Sequence, residues 1–340
     1  MYCVEIDRST SGTGRWIPPP GYVSVARRDS ELRSTAGCRP LGSHVVEEDR
    51  GASGVVATVL AFSPSAHLEP TIRGLARQTV MPDLVVVLDN GQDPEGTAAV
   101  CDDILGSCGV GYVVLPAGGN VGVGAGHNRL AAEAVRHQAS WVWMLEHDTI
   151  CDDDCLQDLL STVARSGDER LAAVVPNLAR NDHERALADQ HTEANGQETG
   201  VIADRFTFNG VLISTAGLLD VGSFREDLFV GGEDWDYSNR LSDRGWLVHQ
   251  RRRVTGIHPT RGDHRHGVLP SPSRQYYSVR STLLRGDSLR QRLRLAAIAC
   301  GGSVRDLARP QRLRRIAARV AGVVDGLRGV GGRRDRWFMR

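Results

Sequence analysis

The sequence predicts an α/β fold in which helices cover a mostly parallel sheet. Three observations support this fold class: short apolar runs of strand length recur, helical patterns separate them, and polar or acidic residues follow the runs. This alternation is typical of parallel sheets that are buried on both faces. The hydrophobic content of 41% and the charged content of 24% are ordinary for a globular protein.

The predicted elements begin near residue 54 and follow one another in order. Apolar runs predict strands at 55–62, 84–91, 111–116, 141–148, 171–177 and 206–214. Helical spacing predicts helices at 68–78, 128–137, 154–165, 283–299 and 304–324. Residues 1–50, rich in Gly, Ser, Pro and Arg, predict a disordered leader, and the polar stretch 180–200 predicts a loop. We therefore expect a domain over 51–285 and a basic helical C-terminal extension over 286–340.

The net charge of zero conceals an uneven distribution along the chain. Residues 1–250 hold 19 Arg against 36 Asp and Glu, whereas residues 251–340 hold 22 Arg against 5 Asp. Two interpretations remain open: the basic part binds an anionic partner such as a diphosphate or an acidic membrane, or the two parts neutralise each other within the fold. The Arg-rich tail lacks interleaved aromatic residues, so no nucleic-acid partner is expected.

Cysteine usage and hydropathy predict the compartment. The seven cysteines have no zinc-type spacing, and their odd number argues against a disulfide framework. No apolar run reaches the roughly 18 residues that a membrane span needs. We expect a cytoplasmic protein, with peripheral contact at the inner face of a membrane as the only membrane association.

Two acidic clusters are the strongest chemical signals. WVWMLEHDT (141–149) is an apolar run that ends in Glu146 and Asp148, and carboxylates at a strand end suit a divalent cation and its phosphates. GGEDWDYSNR (231–240) supplies Glu233 and Asp234, of which one carboxylate could serve as a general base. The structural alternative is that both clusters are acidic first turns of helices, the second with Trp235 and Tyr237 packed in the core.

Three further features point to a ligand, each with a structural alternative. Asp89 ends a predicted strand and either binds a pyrimidine or ribose or shapes a turn. The loop GGNVGVGAGHN (118–128) lets the backbone approach a phosphate or sugar, or is a simple turn. It is neither a GxGxxG fingerprint nor a P-loop. His258 follows a short strand and is either a metal ligand or a structural histidine.

The order of these motifs resembles the inverting glycosyltransferases of family 2, which have the GT-A fold. The resemblance runs over 55–285 and is closest to the bacterial rhamnosyltransferase and galactofuranosyltransferase branch. The matching segments are LARQTVMPDLVVVLDNG, GGNVGVGAGHNRL, WVWMLEHDT, FNGVLIS, DVGSFREDLFVGGEDWDYSNRLSDRGW and RQYYSVRSTLLR.

The resemblance implies a hexosyltransferase that moves a sugar from a dTDP-rhamnose or UDP-galactofuranose type of donor. The acceptor would be a hydroxyl of a cell-envelope glycan, a lipid-linked glycan or a natural product. Asp148 and His258 would hold Mg²⁺ or Mn²⁺, and Asp234, with Glu233 beside it, would be catalytic. The implied nucleotide-sugar site comprises Asp89 at the base, Glu146 near the ribose, and Asn90, Asn120, Gly122, Asn128, Asp148 and Gly210.

The sequence also departs from the family pattern, which keeps two other classes open. Ala61, Phe62 and Ser63 stand where the family usually has Thr-Tyr-Asn, and Glu146 and His147 replace two residues of the DXD-type motif. These departures would suit a non-catalytic or degenerate sugar-nucleotide-binding protein. A nucleotidyltransferase is less favoured, because AFSPSAH follows the first strand where that class carries a basic, Gly-rich phosphate loop.

Overall fold

The computed structural model describes residues 25–26, 54–62, 65–91, 93–186, 201–203, 205–259, 271–307 and 310–334. The predicted leader lies outside the described residues except for Val25–Ala26, as does 187–200 of the predicted loop. In the part that is described, a mostly parallel sheet is covered by helices on both faces, and helices follow it at the C-terminal side. The predicted fold class is confirmed.

One sheet organises the domain. Its strands are β1 (Val25–Ala26), β2 (Val55–Ala61), β3 (Leu84–Asp89), β4 (Tyr112–Pro116), β5 (Trp141–Glu146), β6 (Ile150–Cys151), β7 (Leu171–Ala179), β8 (Val201–Ile202), β9 (Val211–Ser214) and β10 (Leu247–Ile257). Their order is β1-β4-β3-β2-β5-β9-β7-β10-β6, and β8 pairs with β10. Strands β4, β3, β2 and β5 are parallel neighbours, and β9 runs antiparallel between β5 and β7. The strands β2–β5, β7 and β10 therefore all end at the same edge.

The described α-helices are α1 (Ser65–Ala76), α2 (Pro94–Cys101), α3 (Val123–Arg136), α4 (Cys155–Ser166), α5 (Thr215–Val221), α6 (Glu233–Asp243), α7 (Pro272–Leu284), α8 (Leu289–Leu307) and α9 (Arg312–Leu327). Alternate side chains of β2 enter opposite cores: Val56 and Leu60 pack with α3, α5 and α6, and Val59 packs with α1 and α4. This alternation follows from the two-residue period of a strand.

Several predicted boundaries differ from those observed; the strand predicted at 206–214, for example, covers only Val211–Ser214. Two of the differences have local reasons. The helix predicted at 128–137 begins at Val123, because Gly122 at φ +91° turns the chain and the Val123 N–H donates to the carbonyl of Phe229 at 2.8 Å. The C-terminal region forms three helices rather than two. Pro272 begins α7, where the Ser271 hydroxyl accepts the first-turn N–H of Arg274 at 3.2 Å.

A short crossing connects β5 to the far side of the sheet. After Glu146 the chain passes the ends of β9 and β7, and β6 pairs antiparallel with β10, Ile150 opposite Ile257 and Cys151 opposite Gly256. A Cβ at Gly256 would lie 2.5 Å from the Ile150 carbonyl oxygen, so the pairing depends on the missing side chain. Helix α1 holds the same segment, since the Thr71 hydroxyl donates to the His147 carbonyl at 2.8 Å.

Ion pairs join the acidic body to arginines from the second half of the chain. Arg251 binds Asp158 at 2.6 Å, and its side chain is 2% exposed. Arg253 binds Asp154 at 2.6 Å, and Arg185 binds Asp152 at 2.7 Å. Part of the uneven charge is therefore neutralised within the fold. Among the helices of the described residues, none is both long enough and apolar enough to cross a bilayer.

His127 is buried in an aromatic part of the core. Its ring centroid lies 4.6 Å from that of Phe208 and 5.9 Å from that of Phe224, and neither ring nitrogen has a hydrogen-bond partner among the described residues. Desolvation by burial lowers the pKa of His127 to about 3. The folded state therefore needs the neutral ring.

His127 is predicted to make the fold acid-sensitive. Below the ordinary pKa of about 6.5 the unfolded chain binds a proton that the folded chain excludes, so stability is lost as the pH falls from about 6.5 towards 3. At pH 5 this loss amounts to about 2 kcal/mol relative to pH 7.5. Denaturant unfolding at both pH values should show that His127→Leu loses less stability at pH 5 than the wild type does. His183→Leu, in which an exposed histidine is replaced as a control, should lose as much as the wild type. Equal losses in all three proteins would contradict the assignment.

Candidate active site

The crossing between β5 and β6 brings three potential metal ligands together. One ligand atom each from Glu146, Asp148 and His258 lies within 4.8 Å of the other two. His258 follows the end of β10, and its Nε2 lies 3.3 Å from Oδ1 of Asp148. All three side chains are half-buried. Carboxylate oxygens and an imidazole nitrogen in this spacing fit a divalent cation such as Mg²⁺ or Mn²⁺.

The charges of the three groups are strongly interdependent. Burial, and after it the neighbouring charge of Asp148, raise the pKa of Glu146 to about 7. For Asp148 burial also acts upwards, but the hydrogen bond to His258 and the nearby His147 outweigh it, so its pKa is lowered. Burial lowers the pKa of His258, but Asp148 and Glu146 more than compensate and raise it. Two carboxylates held this close favour a bound cation.

The second acidic cluster lies at the start of α6, close enough to contribute to the potential at Glu146. Glu233 is buried, its Oε2 has no hydrogen-bond partner among the described residues, and desolvation raises its pKa to about 7. Asp234 is half-buried and therefore more accessible. Burial raises its pKa, against the Trp235 N–H and the charge of Arg285, which lower it. Asp234 is thus the carboxylate of the cluster that a ligand can reach.

Not every acidic residue singled out in the sequence is available for chemistry. Asp236 accepts from Arg240 at 2.8 Å and lies 3.6 Å from Arg225, so it fastens α6 to its surroundings. Asp152 and Asp154, which follow β6, form the ion pairs with arginines described above, and Asp153 lies 3.3 Å from Arg77. Four carboxylates of the two acidic clusters therefore remain available for chemistry: Glu146, Asp148, Glu233 and Asp234.

The predicted donor residues at the end of β3 and after β4 form a connected turn. Asp89 is buried and accepts from the Gly91 N–H at 3.2 Å, which is the turn-shaping contact; burial raises its pKa. Asn90 Oδ1 accepts from the Val121 N–H at 2.8 Å, and Asn120 Oδ1 accepts from the Gly122 N–H at 2.9 Å. These amides fix the Gly-rich loop beside β3, and their contacts with a nucleotide remain predictions.

Three other predicted donor residues have structural contacts of their own. Asn128 uses its whole amide, accepting from the Phe224 N–H at 2.8 Å and donating to Glu226 at 2.8 Å. A Cβ at Gly122 would lie 2.6 Å from the Phe229 carbonyl oxygen. Gly210 is buried and donates its N–H to the Met144 carbonyl at 2.8 Å, which joins the start of β9 to β5. Their roles towards a donor also remain predictions.

The sequence analysis missed a group of residues around Trp235. The predicted core packing holds for Tyr237, which is fully buried, but Trp235 is 45% exposed. The guanidinium groups of Arg205 and Arg285 lie 4.0 and 5.4 Å from the Trp235 ring centroid. Trp235 and Arg205 line a cavity of about 380 Å³ that also reaches His258. The Trp-Asp pairing in GEDWD was the one available signal for this site.

Comparison with known families decides the class of protein. A family model described as "Glycosyltransferase like family 2" matches residues 53–262, which is more than half of the chain. The chain belongs to glycosyltransferase family 2. The predicted enzyme class, a glycosyltransferase, is therefore confirmed at this level. No curated protein sequence matches the chain significantly.

Solved structures agree with this glycosyltransferase fold. TarS of S. aureus, residues 1–349 in complex with UDP-GlcNAc, has a TM-score of 0.51 and 15% identity over 81% of each chain. GalNAc-T7, with UDP, GalNAc and Mn²⁺, has a TM-score of 0.54 and 12% identity over 86% of this chain and 56% of its own. At these identities the likeness shows the fold alone, and the GT-A fold is confirmed.

Removing one ligand of the cluster should abolish metal binding by this glycosyltransferase. With Mn²⁺ at about 100 times its Kd, the wild type should melt about 5 °C higher than without metal. Asp148→Asn and His258→Gln should lose this difference, and Asp153→Asn, a nearby acidic control, should keep it. Each variant is measured by thermal unfolding with and without Mn²⁺. An undiminished metal-dependent shift in His258→Gln would contradict the ligand set.

Proposed function

We propose that the enzyme transfers a hexosyl group from a nucleotide-diphosphate donor to an acceptor hydroxyl, with inversion at the anomeric carbon. The donor would be of the dTDP-rhamnose or UDP-galactofuranose type, and the acceptor a glycan, a lipid-linked glycan or a natural product. The observation that carries the proposal is the convergence of the Glu146, Asp148 and His258 cluster with Asp234 at one edge of the sheet.

Asp148 and His258, together with Glu146, would hold Mg²⁺ or Mn²⁺. When bound, such an ion stabilises the negative charge that develops on a departing nucleoside diphosphate. The sequence resemblance implied Asp148 and His258 as ligands and placed Glu146 near the ribose. The observed spacing supports adding Glu146 to the ligand set. The UDP-GlcNAc in the TarS structure, and the UDP, GalNAc and Mn²⁺ in the GalNAc-T7 structure, are consistent with this assignment.

Asp234 would accept the proton of the acceptor hydroxyl. The hydroxyl oxygen then attacks the anomeric carbon, and the bond to the diphosphate breaks with its electron pair on the phosphate oxygen. The Trp235 N–H donates to Oδ1 of Asp234 at 2.8 Å, which orients the carboxylate. A carboxylate whose pKa burial raises is the stronger proton acceptor. Glu233, the buried residue that precedes Asp234 in the chain, would help to hold the Asp234 carboxylate in place.

Replacing the proposed base should affect turnover far more than donor binding. Asp234→Asn should lower the rate of nucleoside diphosphate release about 10²–10⁴-fold, the usual contribution of general base catalysis. Thermal shifts with UDP-, dTDP- and GDP-sugars plus Mn²⁺ should be unchanged in this variant. Asp243→Asn, at the other end of α6, is the matched control and should retain full activity.

Two results would contradict this function. Full turnover in Asp234→Asn would remove this residue from the mechanism. A thermal shift with a donor but no turnover in the wild type would favour the non-catalytic sugar-nucleotide binder instead.

The partner of the basic C-terminal helices is proposed to be an anionic membrane surface. On α9 a stripe at helical spacing is exposed: Leu313 is 77%, Val320 47% and Val324 38% exposed. Arg312, Arg314 and Arg328 flank it. An apolar stripe with basic borders suits the interface of an anionic bilayer. Pairing with a second copy of the same face would instead bring like charges together.

Membrane contact through α9 should depend on both charge and apolar area. The full chain should co-sediment with phosphatidylglycerol vesicles but not with phosphatidylcholine vesicles, and salt should weaken the binding. Leu313→Asn combined with Val320→Asn should reduce partitioning about tenfold. Leu219→Asn, which replaces an exposed leucine on α5, should leave it unchanged. Equal binding by the double variant and the wild type would contradict the proposal.

A further inference from the structure

A cavity of about 380 Å³ opens beside the candidate metal ligands, on the side away from the predicted donor residues Asp89, Asn90 and Asn120. Its walls come from the end of β7, the segment before β9, the first turn of α6 and the end of β10, and include Asn177, Arg180, Arg205, Asn209, Trp235 and His258. All lining residues lie at or after Val175 in the chain. Asp89, Asn90 and Asn120 lie instead beyond β5, at the ends of β3 and β4.

The cavity wall carries a positive charge. Among the described residues that line it there are two arginines and no Asp or Glu. Arg180 pairs with Glu184 at 2.9 Å. Arg205 is exposed, so its guanidinium group can be reached by a ligand.

Arg205 is held in place by stacking. Its guanidinium lies 4.0 Å from the centroid of the Trp235 ring. Stacking fixes the plane of a guanidinium group and leaves the N–H donors at its edge free for an anion. The guanidinium of Arg285 lies 5.4 Å from the centroid of the same ring. This arrangement suits a phosphate or carboxylate.

The cavity also adjoins the reacting groups. Trp235 directly follows the proposed base Asp234, and its N–H orients that carboxylate. His258 is shared between the cavity and the metal cluster. A molecule in the cavity would thus present its hydroxyls to Asp234 while the donor approaches from the β3–β4 side.

We infer that this cavity binds the acceptor, and that the acceptor carries an anionic group, a phosphate or a carboxylate, that pairs with Arg205. The inference rests on the proposed transferase function and specifies the class of its second substrate. Trp235 is a positioning residue that acts through Arg205. The hydroxyl that receives the glycosyl group belongs to the same molecule as the anionic group.

The test compares three probes that share a six-membered sugar ring, on the full chain saturated with Mn²⁺: methyl glucoside, glucose 6-phosphate and glucuronate. Binding is measured by ligand-detected NMR titration. The wild type should bind at least one of the two anionic probes about tenfold more tightly than the neutral probe, and their order distinguishes phosphate from carboxylate. Arg205→Gln should lose this preference.

Two further variants separate a specific contact from a general change of charge. Trp235→Leu should weaken the preference, because the guanidinium loses its support. Arg170→Gln should keep it, since Arg170 stacks on Trp246, 4.6 Å from that ring's centroid, and does not line the cavity. The inference is overturned if the wild type binds none of the probes or shows no preference for an anionic one. It is also overturned if Arg205→Gln retains that preference.

Donor binding distinguishes this inference from the proposed function. The thermal shift of Arg205→Gln with nucleotide sugars should match that of the wild type. If no nucleotide sugar raises the melting temperature of either protein, the proposed function fails, whatever the three sugar probes show. A normal donor shift without an anionic preference overturns only the acceptor class.

Discussion

The pairing of β6 with β10 is the constraint on which the site depends. Glu146 and Asp148 belong to β5 and its exit, whereas His258 follows β10, and β9 and β7 separate these strands in the sheet. The two-residue strand β6 bridges that gap by pairing with Gly256 and Ile257. Because Gly256 has no side chain, the Ile150 backbone can approach closely, and Asp148 comes within 3.3 Å of His258.

The crossing also divides the edge of the sheet into two sides. The β2–β4 side carries the glycine-rich loop, fixed by Asn90 and Asn120. The β7–β10 side carries the arginine-lined cavity. The carboxylates lie between them, where they would serve the proposed reaction between two bound substrates. Their mutual repulsion is partly offset by Arg285, which lies near Asp234 and Glu233 and has its pKa lowered by burial.

The sequence predicted the parts of this arrangement that depend on local pattern. Apolar runs with helices between them require a helix-covered parallel sheet, and parallel strands place Asp89 and Glu146 at one edge. The motif order in the resemblance indicated the family before any geometry was known. The helix start at Val123 was not predicted, because four glycines near it weaken the helical pattern and a tertiary contact with Phe229 decides the boundary.

The remaining features of the site depend on tertiary contacts, which cannot be deduced from a single sequence. Nothing local distinguishes Asp148, a candidate ligand, from Asp152 and Asp154, whose arginine partners are distant in the chain. The sequence around Trp235 and Tyr237 does not show which of the two aromatic side chains enters the core. Tyr237 is buried, whereas Trp235 is 45% exposed. No sequence pattern singled out Arg205, because it is one arginine among many. Only the structure shows that it stacks on the Trp235 ring.

The most direct measurement is the Mn²⁺ affinity of Gly256→Ala, which keeps every proposed ligand and alters only the β6–β10 contact. A Cβ there would lie 2.5 Å from the Ile150 carbonyl oxygen, whereas at the control position Gly111 the nearest atom lies at 3.5 Å. Titration followed by the EPR signal of free Mn²⁺ should show binding at least about tenfold weaker in Gly256→Ala and unchanged in Gly111→Ala. A wild-type Kd in a folded Gly256→Ala variant would contradict the dependence of the metal site on this strand pairing.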